Sequence, residues 1–165
     1  MSRTPESFRV GDVVIAGNFT ITPLEVANHL RSRLVDELID TPRESAARFA
    51  EQPQVGGVCP TPLMIARALQ ALRATDGFGN LVLTVHGLGK VQALGTPIVG
   101  EPFTCVGTVA FRGKERGASV PLTLAVELRR RRGGTLLRFE VGVELQAQRQ
   151  IAKAPGARPA LVAVA

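Results

Sequence analysis

The side chains able to move protons in this sequence are few and scattered. There are two histidines, His29 and His86. His29 falls in a helix-like segment beside Asn28, and Asp36 follows it by seven residues. That spacing is about two helical turns, so both lie on one face, roughly 10 Å apart along the axis. They could line one cleft without touching. His86 lies in a long strand-like segment, facing opposite to Val85 and just before Gly87. Imidazole titrates near neutral pH and a carboxylate is ionised there, so Asp36, His29 and His86 are the candidates for acid–base work. The plainer reading of each histidine is a surface or satisfied structural residue. Asp40 and Glu51 are further acids and read as solvated charges.

A second kind of chemistry is offered by backbone. In VGGVCPTPLMIARALQAL (55–72), two glycines, a cysteine and two prolines crowd against the start of an apolar run. Glycine lets another molecule approach the main chain closely, and it also simply turns a chain into a buried helix. A helix start lowers a thiol pKa, which makes Cys59 a conceivable nucleophile. No histidine is near it in sequence, and a small apolar filler is the plain reading.

The elements that must position these groups follow from local signals. Thr-Pro recurs at three expected helix starts. In TPLE (22–25), Thr22 can cap the helix, Pro23 takes the first position and Glu25 closes a capping box. TPRE (41–44) repeats the arrangement; TPLM (61–64) keeps Thr61 as the cap without the acid. These signals predict helices near 23–38, 43–51 and 62–74. The third is apolar except for Arg67, Gln70 and Arg73, and a helix apolar nearly all round is buried.

Beyond it the period changes from 3.6 to 2. NLVLTVHGLGKVQAL (80–94) is long enough to bend, and Gly87 and Gly89 mark the bend or bulge. Three more alternating segments follow, with short links that favour antiparallel pairing. RRRR (129–132) precedes Gly133-Gly134 between two of them and reads as a solvated hairpin tip; the other reading is a site for an anionic partner. The fold class expected is α+β, a curved antiparallel sheet wrapped around a buried helix. We expect one domain over 1–151 and a loose tail over 152–165.

Composition narrows the function classes. The chain has 165 residues and a net charge of +6, but no Trp or Tyr, and its seven Phe are not interleaved with the basic cluster. Nucleic-acid binding is therefore not expected. No apolar run is long enough to span a bilayer, and the N-terminus lacks the apolar core of a signal peptide. A cytoplasmic protein is expected, with Cys59 and Cys105 as thiols; they fit no metal-ligand spacing.

This order of parts resembles the hot-dog fold, and more narrowly its MaoC-like branch of acyl-thioester hydratases and dehydratases. The resemblance covers roughly residues 8–149. It is carried by FRVGDVVIAGNFTITPLEVANHL, by GGVCPTPLMIARALQAL as the central helix with its approach, and by KVQALGTPIVGEPFTCVGTV. It implies that a thioester carbonyl lies against backbone N–H groups at the start of the central helix. Gly56 and Gly57 would open the backbone, with Val58 and Cys59 offering N–H groups. It implies no cofactor, a substrate held on coenzyme A or an acyl carrier protein, and a homodimer or a heterodimer with another hot-dog chain.

The family's D-x-N-P-x-H motif corresponds here to DELIDT (36–41). Asp36 matches the Asp, Leu38 and Ile39 replace Asn and Pro, and Thr41 stands at the His position, where its hydroxyl would line the substrate site. A threonine hydroxyl titrates too high to replace imidazole. The family's His-Gly pair before the central helix corresponds to Pro60 and Thr61. That form resembles the non-catalytic half of two-part dehydratases. The resemblance leaves three readings: a hydratase or dehydratase with an altered Asp/His site, a non-catalytic subunit of a heterodimeric dehydratase, and an acyl thioesterase using Asp36, Asp40 or Glu51 with water.

Overall fold

The structure is a computed structural model, and it describes residues 4–37 and 57–147; for 33–37 only the backbone path is considered. A strand β1 (Val13–Thr20) leads into helix α1 (Pro23–Glu37). Helix α2 (Thr61–Ala74) is followed by strands β2 (Leu81–Ala93), β3 (Pro102–Arg112), β4 (Ser119–Arg130) and β5 (Thr135–Ala147). The five strands form one antiparallel sheet in the order β1-β3-β4-β5-β2. Short 3-10 turns at Pro5–Ser7 and Asp76–Phe78 were not foreseen from the sequence. The expected helix at 43–51 and the tail from 152 lie outside the described residues. No helix among the described residues is long and apolar enough to cross a membrane.

The capping box at α1 forms as the sequence predicts. The Glu25 N–H donates to Thr22 Oγ1 at 3.3 Å, and the Thr22 N–H donates to the Glu25 carboxylate at 2.8 Å. Two otherwise unpaired donors are satisfied reciprocally. At α2 the start differs from expectation. The Met64 N–H reaches the Pro60 carbonyl at 3.1 Å, so Pro60 takes the cap position and Thr61 is the first helical residue. Thr61 therefore makes no side-chain cap.

Alternation along each strand separates an inner face from an outer one. Phe103, Cys105 and Val109 of β3 point inward with Leu124 and Val126 of β4 and Phe139 and Val141 of β5, and all are buried. On this inner face lies α2, through Leu63, Met64, Ala68 and Leu72. Gly107 permits the close approach: a Cβ there would sit 3.1 Å from Leu72 Cδ2. The sheet by itself covers one flank of the helix. Ile65 and Leu69 on the other flank are half-buried, and Ala66 is exposed.

Strand β2 ends the sheet, with one edge free of any described strand. Its register slips between Val85 and Gly87 and again between Leu88 and Val91. These are the bends that the two glycines announced.

Leu72 is fully buried at the helix–sheet contact. Leu72→Ala is expected to cost about 2–5 kcal/mol of unfolding free energy. Thr22→Ala, which removes only the cap, is expected to cost about 1 kcal/mol. Urea titrations of the two variants beside the parent chain check both values and their order.

Candidate functional site

The approach to α2 is pinned by a short antiparallel bridge. The Val99 N–H donates to the Gly57 carbonyl at 2.7 Å, and the Cys59 N–H donates to the Pro97 carbonyl at 2.9 Å, with Val58 opposite Ile98. The Cys59 N–H is thus already engaged. Val58 makes no such bond to a described residue, and its side chain is 62% exposed. Pro60 and Pro62 carry no N–H, and Met64 is paired to Pro60. In the first turn this leaves the N–H groups of Thr61 and Leu63 without a described partner. The alternation of prolines at 60 and 62 was the signal that singles out these two donors, and the sequence reading did not use it. A helix start concentrates the positive end of the dipole on such groups.

The inner face of β2 is open. Leu88 pairs with Val141 and Val91 with Phe139, both inward positions, yet they are 49% and 41% exposed. Leu94, whose N–H donates to the Leu136 carbonyl, is exposed as well. An apolar strip therefore runs along the free edge of the sheet.

Cys59 is itself buried, at 2% exposure. Burial pushes its thiol up to about 11, and the negative charges of Glu101 and Glu25 push in the same direction. A protonated, enclosed thiol does not suit nucleophilic attack, so Cys59 fills space as the plain reading held. Cys105, buried beside the Ala68 carbonyl, is pushed up to about 12 by burial.

The candidate acid–base residues do not all come together. His86 is the extra residue at the first slip of β2, and its Nε2 lies 2.9 Å from the Glu144 carboxylate. Glu144 alternates with the buried Val143 and Leu145, so this pair is on the outer face, across the sheet from α2. The Ser119 hydroxyl also donates to Glu144. Ser119 first, and His86 next, hold the Glu144 carboxyl below its ordinary range. His29 lies in α1, half-buried, and its Nε2 is enclosed with no hydrogen-bond partner among the described residues. Asp36 follows two turns later in the same helix. Thr41, Asp40, Glu51 and Gly56 lie outside the described residues.

One cavity of about 320 Å³ opens between β1 and the later turns of α2, lined by Asn18, Phe19, Arg67 and Gln70 among others. The Arg67 guanidinium stands 5.8 Å from the Phe19 ring centre, and its Nε is 3.0 Å from Glu25. Its charge is therefore already balanced. Among the described residues no group of three or more His, Cys, Asp or Glu is placed to hold a metal ion.

No family model matches this chain, and no curated protein does. Solved structures do. A MaoC-like dehydratase from Rhodospirillum rubrum is similar with a TM-score of 0.61 and 16% identity, over 89% of this chain and 99% of that one. The (R)-hydratase from A. caviae involved in PHA biosynthesis gives 0.57 and 17%, over 84% and 97%. The C-terminally truncated HadBC complex of Mycobacterium tuberculosis, a (3R)-hydroxyacyl-ACP dehydratase, gives 0.59 and 9%, over 84% and 98%. The curved five-stranded sheet with its central helix is the hot-dog fold. The identities are low, and the likeness is one of fold.

The thiols carry a stability prediction. In the unfolded chain they ionise from 9.0, whereas folded Cys59 and Cys105 hold their protons to about 11 and about 12. The native state then binds more protons, and stability falls as pH rises above 9.0. Unfolding midpoints in urea are expected to be lower at about pH 10 than at about pH 8, and the difference to shrink in a Cys59→Ala/Cys105→Ala variant.

Proposed function

We propose that this chain binds an acyl thioester at the start of α2 and acts on it as a hydratase or dehydratase of the hot-dog type. The observation that most supports this is the pair of N–H groups of Thr61 and Leu63, unpaired among the described residues, together with the uncovered apolar strip of Leu88, Val91 and Leu94. Removing a proton next to a thioester, or adding water across its double bond, places negative charge on the carbonyl oxygen. Preorganised N–H groups at a helix start stabilise that charge where it develops. Val58, Gly57 and Gly56 shape the approach, and the apolar strip takes the acyl chain.

Asp36 is assigned the activation of water, and His29, whose enclosed Nε2 has no partner among the described residues, the return of the proton. Their separation of two turns lets them act from two sides of a substrate. Thr41 is assigned to the same site by its position in the family's motif. His86 is turned to the outer face and takes no part within its own chain. The thioester is carried by coenzyme A or an acyl carrier protein. The working unit is a dimer, with itself or with another hot-dog chain, along the free edge of β2, which such pairing would satisfy. The setting is the cytoplasm, in fatty-acid or polyketide metabolism.

A second reading has its own support. Thr61, at the family's His-Gly position, is spent as the first residue of α2, and His86 is paired with Glu144 on the outer face. The chain would then be the non-catalytic subunit of a heterodimeric dehydratase, shaping the pocket while a partner supplies the Asp/His pair. A thioesterase, using Asp36, Asp40 or Glu51 with water, shares the binding mode.

Purified chain incubated with short and medium trans-2-enoyl thioesters is expected to remove the enoyl absorbance, with Asp36→Asn slower by about 100-fold or more. No turnover beside an active hydratase control would overturn the enzyme reading. Turnover gained only on adding a second hot-dog chain would favour the non-catalytic subunit, and release of free thiol would favour the thioesterase.

A further inference from the structure

The four arginines of the β4–β5 hairpin divide into two that are used and two that are not. Arg129 pairs with Glu127, which also takes Arg138. Arg130 pairs with Glu101 at 2.8 Å and donates to the Thr96 carbonyl at 2.6 Å. Arg131 and Arg132 are exposed at the tip and make no ion pair or hydrogen bond with a described residue. The turn is held open by Gly133 at φ 150°.

The position of this tip is fixed by a short path of bonds. Arg130 anchors it to Thr96 and Glu101, which bracket Pro97–Val99. Those residues form the bridge to Gly57 and Cys59, two residues before α2 begins. The hairpin and the helix start are thus at the same end of the molecule. Five arginines against two glutamates leave this rim with a surplus of three positive charges, half of the chain's net +6. Guanidinium forks suit phosphate oxygens, where two N–H groups can bind side by side.

We propose that Arg131 and Arg132 form a phosphate-binding rim for the carrier of the acyl group, gripping the far end of a pantetheine arm whose thioester lies at the start of α2. The inference rests on the acyl-thioester reading and adds to it the chemistry of the handle. The acyl end would be selected by the apolar strip and the carrier end by charge. The anchored pair, Arg129 and Arg130, sets the direction of the free pair.

The test measures binding of hexanoyl-CoA, hexanoyl-carrier protein and hexanoyl-pantetheine, the last without phosphate, to the parent chain and to Arg131→Ala/Arg132→Ala. The tip is solvent-exposed, and an unchanged melting temperature confirms that the variant is folded. The expected result is about tenfold weaker binding of a phosphate-bearing ligand, lost at high salt, with pantetheine affinity unchanged. Recovery in Arg131→Lys/Arg132→Lys would be partial. Whichever of the two phosphate-bearing ligands responds identifies the carrier. Equal affinity of variant and parent for both, with all three ligands bound, would overturn the rim and leave the acyl reading intact. No binding of any of the three would overturn both. A short DNA duplex bound as tightly as hexanoyl-CoA, with the same arginine dependence, would also overturn it, by showing a general polyanion surface.

Discussion

Leu63, Met64, Ala68 and Leu72 press one flank of α2 onto the inner face of the sheet, and the remaining features are arranged around that contact. Removing four large or well-packed apolar side chains from water contributes several kcal/mol, while a lone hydrogen bond at the surface contributes about one. The contact needs a sheet whose backbone can be approached, which Gly107 supplies under Leu72. It also fixes where the N-terminal end of the helix points. The short bridge from Gly57–Cys59 to Pro97–Val99 then carries the chain into the helix along one path.

Much of this was legible because it is local. The Thr22–Glu25 box, the change of period after Ala74 and the Gly87 bend depend on neighbours a few residues apart, and each formed where the residues placed it. That His86 faces opposite to Val85 followed from alternation; that it is His86 which faces away from the helix, and so leaves the candidate site, did not. What the residues did not disclose is long-range. Nothing near His86 in sequence announces Glu144, which reaches it from β5, or Ser119 of β4, which donates to that same carboxylate. The engagement of the Cys59 N–H with Pro97 depends on a loop nearly forty residues later. The start of α2 shifted by one residue because a carbonyl bond, and not residue type, decides which residue caps.

Electrostatics follow the same division between a dry inner face and a wet outer one. The charged pairs stand on the outer face or at the rim, where carboxylates are matched to arginine or histidine at little desolvation cost. On the inner side the two thiols are the titratable groups that burial affects most, and it keeps both protonated. Arg67 is the exception in the groove beside β1: its guanidinium lies over the Phe19 ring while its Nε reaches Glu25. That arrangement ties the first turn of α1 to the middle of α2.

The bridge that fixes Gly57 and Cys59 to the 97–99 segment has a thermodynamic consequence. Two main-chain bonds and Pro60 hold the residues ahead of α2 in one conformation before anything arrives. The ordering entropy of that segment is thus charged to folding and not to association. A molecule that meets the helix start finds its donors already aligned, so its affinity reflects contacts made more than freedom lost.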